Sequence, residues 1–162
     1  LQGAEIREDF ISLRSSAEKL KTALRLYKRL TSVLLTSHES NNILTLLWSA
    51  MILLKENCPA DIVEYRFTWR LLKETGLAPS LQYCVKCGAK LESGAIWTRD
   101  GLICSSCSAS GREDIGREEL SCLRFAAMLS HDKFIGWSKG REKSSLFIGQ
   151  LKKLVTFFTD MD

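Results

Sequence analysis

The sequence predicts a mainly α-helical fold, a helical bundle with an inserted small four-cysteine zinc subdomain of the ribbon or knuckle type. Apolar residues recur every three or four positions along the first half of the chain and again towards its end, which is the spacing of amphipathic helices. Between about residues 83 and 116 this spacing is lost, and glycines separate short segments. Two pairs of cysteines lie in this part.

These patterns divide the chain into three parts. Residues 1–83 form the first part of the helical domain, residues 84–116 the zinc-binding insert, and residues 117–162 the second part of the helical domain. A chain of 162 residues with 45% hydrophobic residues can bury a sizeable core. With 2 prolines and 10 glycines it is neither collagen-like nor of low complexity.

Charge and hydropathy limit the kinds of partner and the cellular compartment that the sequence predicts. The net charge of +4 is spread along the chain, so it permits a nucleic-acid or acidic partner without requiring one. The most apolar run covers only residues 43–54, whereas a membrane-spanning helix needs about 20 residues. The first residues show no secretory signal. We therefore expect a cytoplasmic protein that does not associate with membranes.

Two helices are predicted before residue 55. The first is amphipathic, and we expect its apolar stripe to pack on the core. That stripe consists of Phe10, Leu13, Ala17, Leu20, Leu24 and Tyr27. The second helix begins near Asn41 and Asn42, which suit the helix N-cap, and runs through Leu54. It is apolar almost all round, so we expect it to be the central helix of the bundle.

A third helix is predicted over residues 60–75. Pro59 suits its first turn, and Gly76 followed by Pro79 supplies a stop. Its predicted inner side carries Ile62, Tyr65, Trp69 and Leu72, and its predicted solvent side carries Arg66, Arg70 and Lys73. In the insert, short strands are expected at residues 95–98 and 102–104. A helix at residues 117–129, a polar loop at 131–143 and a final helix at about 145–158 follow.

The four clustered cysteines predict one structural zinc ion. The ligands are Cys84, Cys87, Cys104 and Cys107, two Cys-x-x-Cys pairs separated by sixteen residues. Four thiolates complete a tetrahedral shell and leave no position for a substrate, so this zinc serves folding and not catalysis. Two disulfides or four free thiols are the alternatives. Cys58 and Cys122 fall outside the pattern and are interpreted as small buried apolar residues.

The sequence holds no recognisable catalytic constellation. Its only histidines are His38 and His131, and it lacks a phosphate-binding loop, a nucleophile elbow and a metalloprotease helix. Two groups of basic residues are candidates for DNA binding, although solvated helix faces are the default interpretation of such groups. They are Lys21, Arg25, Lys28 and Arg29 on the first helix, and Lys139, Arg141 and Lys143 before the last.

Residues 65–88 resemble the bacterial DNA repair protein RecO. In that family a helix ends in a Leu-Leu-x-x-x-Gly-x-x-Pro-x-Leu segment that leads into the first Cys-x-x-Cys-Gly knuckle. The matching residues here are Leu71, Leu72, Gly76, Pro79 and Leu81. Asp100-Gly101 departs from the Gly-Gly that relatives often have. The chain resembles the C-terminal helical and zinc portion, and residues 1–6 resemble the exit from an N-terminal OB-fold.

The resemblance implies a non-catalytic role in DNA repair and homologous recombination after DNA damage. RecO-like proteins bind and anneal DNA, contact the acidic tail of single-stranded-DNA-binding protein, and work with RecR to place RecA on DNA. Arg66 matches a basic residue implicated in tail binding, and helix geometry adds its neighbours. The implied partner site is therefore Arg66, Phe67, Trp69, Arg70 and Lys73. Without the OB-fold, we expect weak binding of single-stranded DNA.

Two other interpretations stay open at this point. A zinc-stabilised protein-interaction or regulatory domain unrelated to repair would show nearly the same sequence features. An enzyme fragment in which the knuckles hold a lid is a further alternative, and the missing phosphate-binding loop argues against it.

Overall fold

A computed structural model describes residues 10–34, 40–109, 113–141 and 145–159 of the chain. These residues form a mostly helical structure with one small sheet, which confirms the predicted fold class. The helices are α1 (Ala17–Leu34), α2 (Ser40–Lys55), α3 (Ala60–Glu74), α4 (Arg117–Met128), α5 (His131–Ser138) and α6 (Ser145–Thr159), and the strands are β1 (Gly94–Thr98), β2 (Gly101–Ile103) and β3 (Ile115–Gly116). Short 3₁₀ helices occupy Ile11–Ser15 and Ser105–Cys107.

The central helix of the bundle is α3. It packs against α1, α2, α4 and α6, and 11 of its 15 residues are buried. Its predicted bounds are confirmed, and Gly76 adopts the left-handed conformation that ends it. The prediction that α2 is central is wrong, because Leu44 and Trp48 of α2 are about half exposed. An apolar sequence did not by itself determine which helix is enclosed.

The solvent-facing side predicted for α3 is also wrong at two positions. Arg66 is 2% exposed, and its guanidinium donates hydrogen bonds to the carbonyl oxygens of Ala126 (2.8 Å) and Leu129 (2.7 Å). Half-buried Arg70 donates to Ala127 O (3.0 Å) and Leu129 O (2.8 Å). The last carbonyls of a helix have no intrahelical partner and carry partial negative charge, so both arginines cap the C-terminus of α4.

Buried Glu64 of α3 binds two arginines of α1. Arg25 donates from Nε (2.9 Å to Oε1) and from Nη2 (2.6 Å to Oε2), and Arg29 Nη2 lies 2.7 Å from Oε1. The second guanidinium also donates to Thr68 Oγ1 at 3.1 Å. A buried carboxylate is tolerated when it is paired and hydrogen-bonded in this way.

The apolar stripe predicted to bury α1 is largely exposed. Leu20, Leu24 and Tyr27 are 41%, 60% and 58% exposed. The buried side of α1 instead carries Thr22, Ala23, Leu26, Leu30 and Val33. Helix α1 therefore has two apolar sides, and the side that packs on the core lies next to the arginines that bind Glu64. Leu13 is buried as predicted.

The predicted polar loop after α4 is in part a helix. Residues 131–138 form α5, with Asp132 in its first turn and Phe134 buried. His131 Nδ1 lies 3.0 Å from Ser49 Oγ of α2, so the histidine joins two helices and is not a loop residue. The last predicted helix is confirmed as α6. Residues 1–6, His38 and Lys143 lie outside the described residues.

The insert contains an antiparallel sheet in the order β2-β1-β3, with Ile96 opposite Ile103 and Ala95 opposite Ile115. Both predicted strands are confirmed. Arg124 of α4 holds the adjoining segment by donating to the carbonyl oxygen of Leu81 (2.8 Å) and to that of Leu91 (2.6 Å). The exact division into three parts stays a prediction. None of the helices described here is long and apolar enough to cross a membrane.

Replacing Arg66 by methionine tests the importance of the α3–α4 contact. Burial and, secondly, the charge of Arg70 lower the pKa of Arg66 to about 9, so the residue stays cationic at neutral pH. Its loss removes the guanidinium donor of Ala126 O and leaves Leu129 O with Arg70 alone, and we expect the free energy of unfolding to fall by about 2–3 kcal/mol. Urea denaturation measures this change. The exposed Lys73→Met is the control, and an Arg66→Met protein as stable as that control would contradict the interpretation.

Candidate metal centre and partner-binding surfaces

The first cysteine pair lies in a tight turn closed by backbone hydrogen bonds. Cys84 N–H donates to Ala89 O at 2.8 Å, and Gly88 N–H donates to Cys84 O at 2.9 Å. Gly88 has φ 72°, a value that favours glycine at this position. The turn directs the thiols of Cys84 and Cys87 to the same side.

The second cysteine pair lies at the two ends of the 3₁₀ helix Ser105–Cys107: Cys104 directly precedes this helix, and Cys107 is its last residue. Cys107 N–H donates to Cys104 O at 3.1 Å, and Cys104 directly follows β2. The first turn is joined to this strand because Val85 N–H donates to Leu102 O at 3.0 Å. The sheet therefore brings together two pairs that are well separated in the sequence.

The four thiols fit a tetrahedral metal site. All four Sγ atoms lie within 4.8 Å of one another. Four sulfurs at about 2.3 Å from a central ion are about 3.8 Å apart, and the sulfurs of Cys87 and Cys104 are 3.7 Å apart. Within the residues that the structure describes, this is the one group of its kind. These cysteines can hold a metal ion, and the sequence predicted all four.

The surroundings shift the pKa values of Cys84 and Cys107 in opposite directions. Desolvation acts to raise the pKa of Cys84, but backbone N–H groups of Cys104, Cys87 and Lys86 outweigh it and lower this pKa to about 6. The pKa of Cys107 is raised to about 12, first by hydrogen bonds with Cys87 and Cys104. Several thiolates this close repel one another, so a divalent cation is the natural counter-charge.

The remaining two cysteines lie apart from this group. Cys58 is 3% exposed and precedes α3, and burial raises the pKa of its thiol. Cys122 is half-buried in α4. Neither belongs to the metal-binding set.

The structure separates the residues predicted for partner binding. Arg66 and Phe67 are each 2% exposed and lie in the core. Trp69 is 6% exposed, and its indole N–H donates to Pro79 O at 3.3 Å. Lys73 is exposed, with its ammonium 5.9 Å from the centre of the Trp69 ring. Only part of the predicted set therefore reaches a surface.

That surface is a cavity of about 410 Å³ at the end of α3. Its lining consists of Trp69, Lys73, Ala78, Pro79, Ser80, Leu81, Gln82 and Met128. Sequence reasoning missed Met128, which belongs to a helix predicted from periodicity alone. No signal in the sequence indicated that Met128 would line a cavity, because its exposure depends on how the helices pack. The cavity combines apolar walls with one ammonium group.

Of the basic residues predicted to bind DNA, some are engaged in contacts within the domain and others are exposed. Arg25 and Arg29 are bound to Glu64, whereas Lys21 and Lys28 are exposed. The sequence could not show this, since Glu64 is 39 residues from Arg25. In the second predicted group, which precedes the last helix, Lys139 pairs with Glu56 at 3.1 Å. Arg141 lies over the ring of Trp137, 4.3 Å from its centroid.

A second cavity, of about 470 Å³, lies between α1, α3 and α6. One wall carries the Arg25, Arg29 and Glu64 group, and α6 contributes Ile148, Leu151, Lys152 and Val155. Sequence reasoning did not predict this cavity, because it depends on the packing of three helices from distant parts of the chain. Positive and negative side chains both line it.

Comparison with known proteins identifies the family. The family model described as Recombination protein O C terminal matches residues 14–142. The chain belongs to this family. The match covers most of the bundle and all four clustered cysteines.

Three relatives are named DNA repair protein RecO. That of Acetivibrio thermocellus is 26% identical over 66% of this chain, that of Desulforamulus reducens 26% over 65%, and that of Alkaliphilus metalliredigens 29% over 64%. The matched regions span 42–44% of the length of these relatives. No solved structure gave a significant match.

Replacing Cys104 by serine tests the metal centre. We expect the purified wild-type chain to carry one metal ion and the variant to carry almost none, because a serine hydroxyl is a poor substitute for a thiolate. Elemental analysis of both proteins, combined with a thiol count, measures the difference. The matched control is Cys122→Ser, which should keep its metal. Equal metal content in the Cys104→Ser protein would show that the four thiols do not form the site.

Proposed function

We propose that this chain is a non-catalytic mediator domain for DNA repair and homologous recombination, which binds DNA and protein partners in the cytoplasm. The observation that carries the proposal is its membership of the RecO C-terminal family. Relatives named for DNA repair support it. The proposal includes a contribution to RecA loading together with RecR.

Zinc is the proposed metal, and its role is structural. A complete shell of four thiolates suits zinc and leaves no open position for a substrate. Metal binding at such sites contributes roughly 10 kcal/mol or more to the free energy of folding, which is large compared with what a short sheet contributes. Elemental analysis of the wild-type chain distinguishes zinc from iron.

The acidic tail of single-stranded-DNA-binding protein is proposed to bind in the cavity at the end of α3. This places the site at Trp69 and Lys73, with Pro79 and Met128 as apolar walls. The Lys73 ammonium suits a carboxylate, and the apolar walls suit an aromatic side chain. Arg66 and Arg70 then serve to hold α3 against α4 and Phe67 belongs to the core, so these three do not meet the peptide themselves.

DNA binding is proposed to use the loop cations Lys139 and Arg141. The guanidinium of Arg141 stacks on Trp137, and such a pair offers a nucleobase a planar surface beside a positive charge. Since Glu64 occupies Arg25 and Arg29, these two residues contribute less than the sequence predicted. Lys139 pairs with Glu56, but both side chains are about half exposed, so a phosphate can replace this weak contact.

Charge reversal at Lys73 tests the tail cavity. We expect Lys73→Glu to weaken binding of a tail peptide at least about tenfold, because the new carboxylate repels the acidic peptide. Fluorescence polarisation with a labelled peptide gives the affinity, and Lys90→Glu, an exposed lysine on the insert, is the control. Unchanged affinity in Lys73→Glu would rule out this cavity. If the wild-type chain does not bind the peptide, an interaction domain with another partner becomes the better interpretation.

Salt dependence tests DNA binding. With two to four phosphate contacts, the slope of log affinity against log salt concentration should be about −1.5 to −3 for a single-stranded oligonucleotide. We expect affinities weaker than micromolar at physiological salt, and a further loss in Arg141→Glu but not in Arg117→Glu. Tight binding that is insensitive to salt would contradict the proposal.

A further inference from the structure

An apolar stripe on α1 faces solvent. Leu20, Leu24 and Tyr27 occupy positions i, i+4 and i+7, and their exposed fractions are 41%, 60% and 58%. Single exposed leucines are ordinary on protein surfaces. Three large apolar residues on one side of a helix instead form a continuous strip about 10 Å long.

The fold does not need this stripe for its own core. A different side of α1 supplies the buried residues, among them Leu26, Leu30 and Val33, each at most 1% exposed. The hydrogen bonds of α1 to α3 come from Arg25 and Arg29, on a third side. Exposed positions are usually occupied by polar helix formers. The stripe therefore contributes little to the core of the described residues, and such exposed apolar stripes often bind a partner.

The border of the stripe is positively charged. Lys21 and Lys28 lie one residue after Leu20 and Tyr27, so helical geometry places both on the same edge. Both lysines are exposed. Neither has an ion-pair partner among the residues that the structure describes. No acidic residue occurs between Lys19 and Thr36, and the nearest one before this segment is Glu18.

We propose that this surface binds an acidic amphipathic helix of a partner protein. Apolar residues of the partner, spaced three and four apart, would pack across Leu20, Leu24 and Tyr27. Carboxylates beside them would meet Lys21 and Lys28. Tyr27 serves as the anchor, since its ring provides a large contact area with little loss of conformational freedom.

Two other occupants fit the surface less well. A second copy of the chain, paired through α1, would place lysines opposite lysines or leave them uncompensated. Nucleic acid would satisfy Lys21 and Lys28, but phosphates make no use of Leu20 and Leu24. The combination of apolar stripe and basic edge favours a protein helix.

The experiment uses two synthetic helical peptides as probes. One has leucines at i, i+3 and i+7 flanked by glutamates, and in the other every glutamate is replaced by lysine. We expect the 162-residue chain to bind the acidic peptide in a polarisation assay and to bind the basic one at least about tenfold more weakly. Leu24→Ser, Tyr27→Ser and the double variant Lys21→Glu, Lys28→Glu should each weaken acidic-peptide binding about tenfold or more.

Matched controls separate this surface from others. Leu77→Ser removes an exposed leucine elsewhere, 39% exposed, and should leave the affinity unchanged. Lys73→Glu alters the proposed tail cavity and should also leave it unchanged, so failure of one site does not imply failure of the other. All substituted positions are exposed, and urea midpoints equal to wild type would show that the variants fold.

Three results would overturn the proposal. The first is equal binding of the acidic and basic peptides. The second is a Leu24→Ser protein with wild-type peptide affinity. The third is a wild-type chain that sediments as a dimer and becomes monomeric in Leu24→Ser, because the stripe would then bind a second copy. In the second case, loss of oligonucleotide binding in the double lysine variant would assign the surface to DNA.

Discussion

The enclosure of α3 is the constraint on which the rest of the structure depends. Most side chains of a helix covered by four others do not reach water, and unpaired buried charges are very unfavourable. Glu64 is therefore held between Arg25 and Arg29, and Arg66 is held by carbonyl oxygens at the end of α4. Each contact joins α3 to another helix, so satisfying the charges also fixes the positions of α1 and α4.

The metal centre depends on the same arrangement. Helix α4 follows directly after β3, and its Arg124 donates to the carbonyl oxygens of Leu81 and Leu91 on either side of the first cysteine turn. The helical bundle thus positions the insert through hydrogen bonds from a side chain of α4 to backbone carbonyls of the insert and its adjoining segment. Within the insert the strands are short, at five, three and two residues. So small a sheet has little core of its own, which is why a metal ion bound by four thiols is a plausible internal support.

Local features of the chain could be predicted from the sequence, whereas features set by distant partners could not. The bounds of α3 depend on neighbouring residues such as Gly76, and the clustering of the four thiols depends on the spacing of their cysteines, so both were predicted correctly. Periodicity shows which side of a helix is apolar but not which side is covered. On α1 the side that carries Leu26 and Leu30 is covered, and the side that carries Leu24 is exposed.

This outcome bears on the kind of recognition that the domain can support. Buried glutamate and helix carbonyls occupy four of its arginines, at positions 25, 29, 66 and 70, so those charges are not available to attract phosphates. What the described surface offers instead is apolar side chains with a few lysines beside them, as at Leu24 and Lys28 or at Trp69 and Lys73. Such surfaces bind mainly by burying apolar area, while the lysines select acidic partners. A protein partner with acidic and apolar residues therefore suits this domain better than nucleic acid bound through phosphates alone.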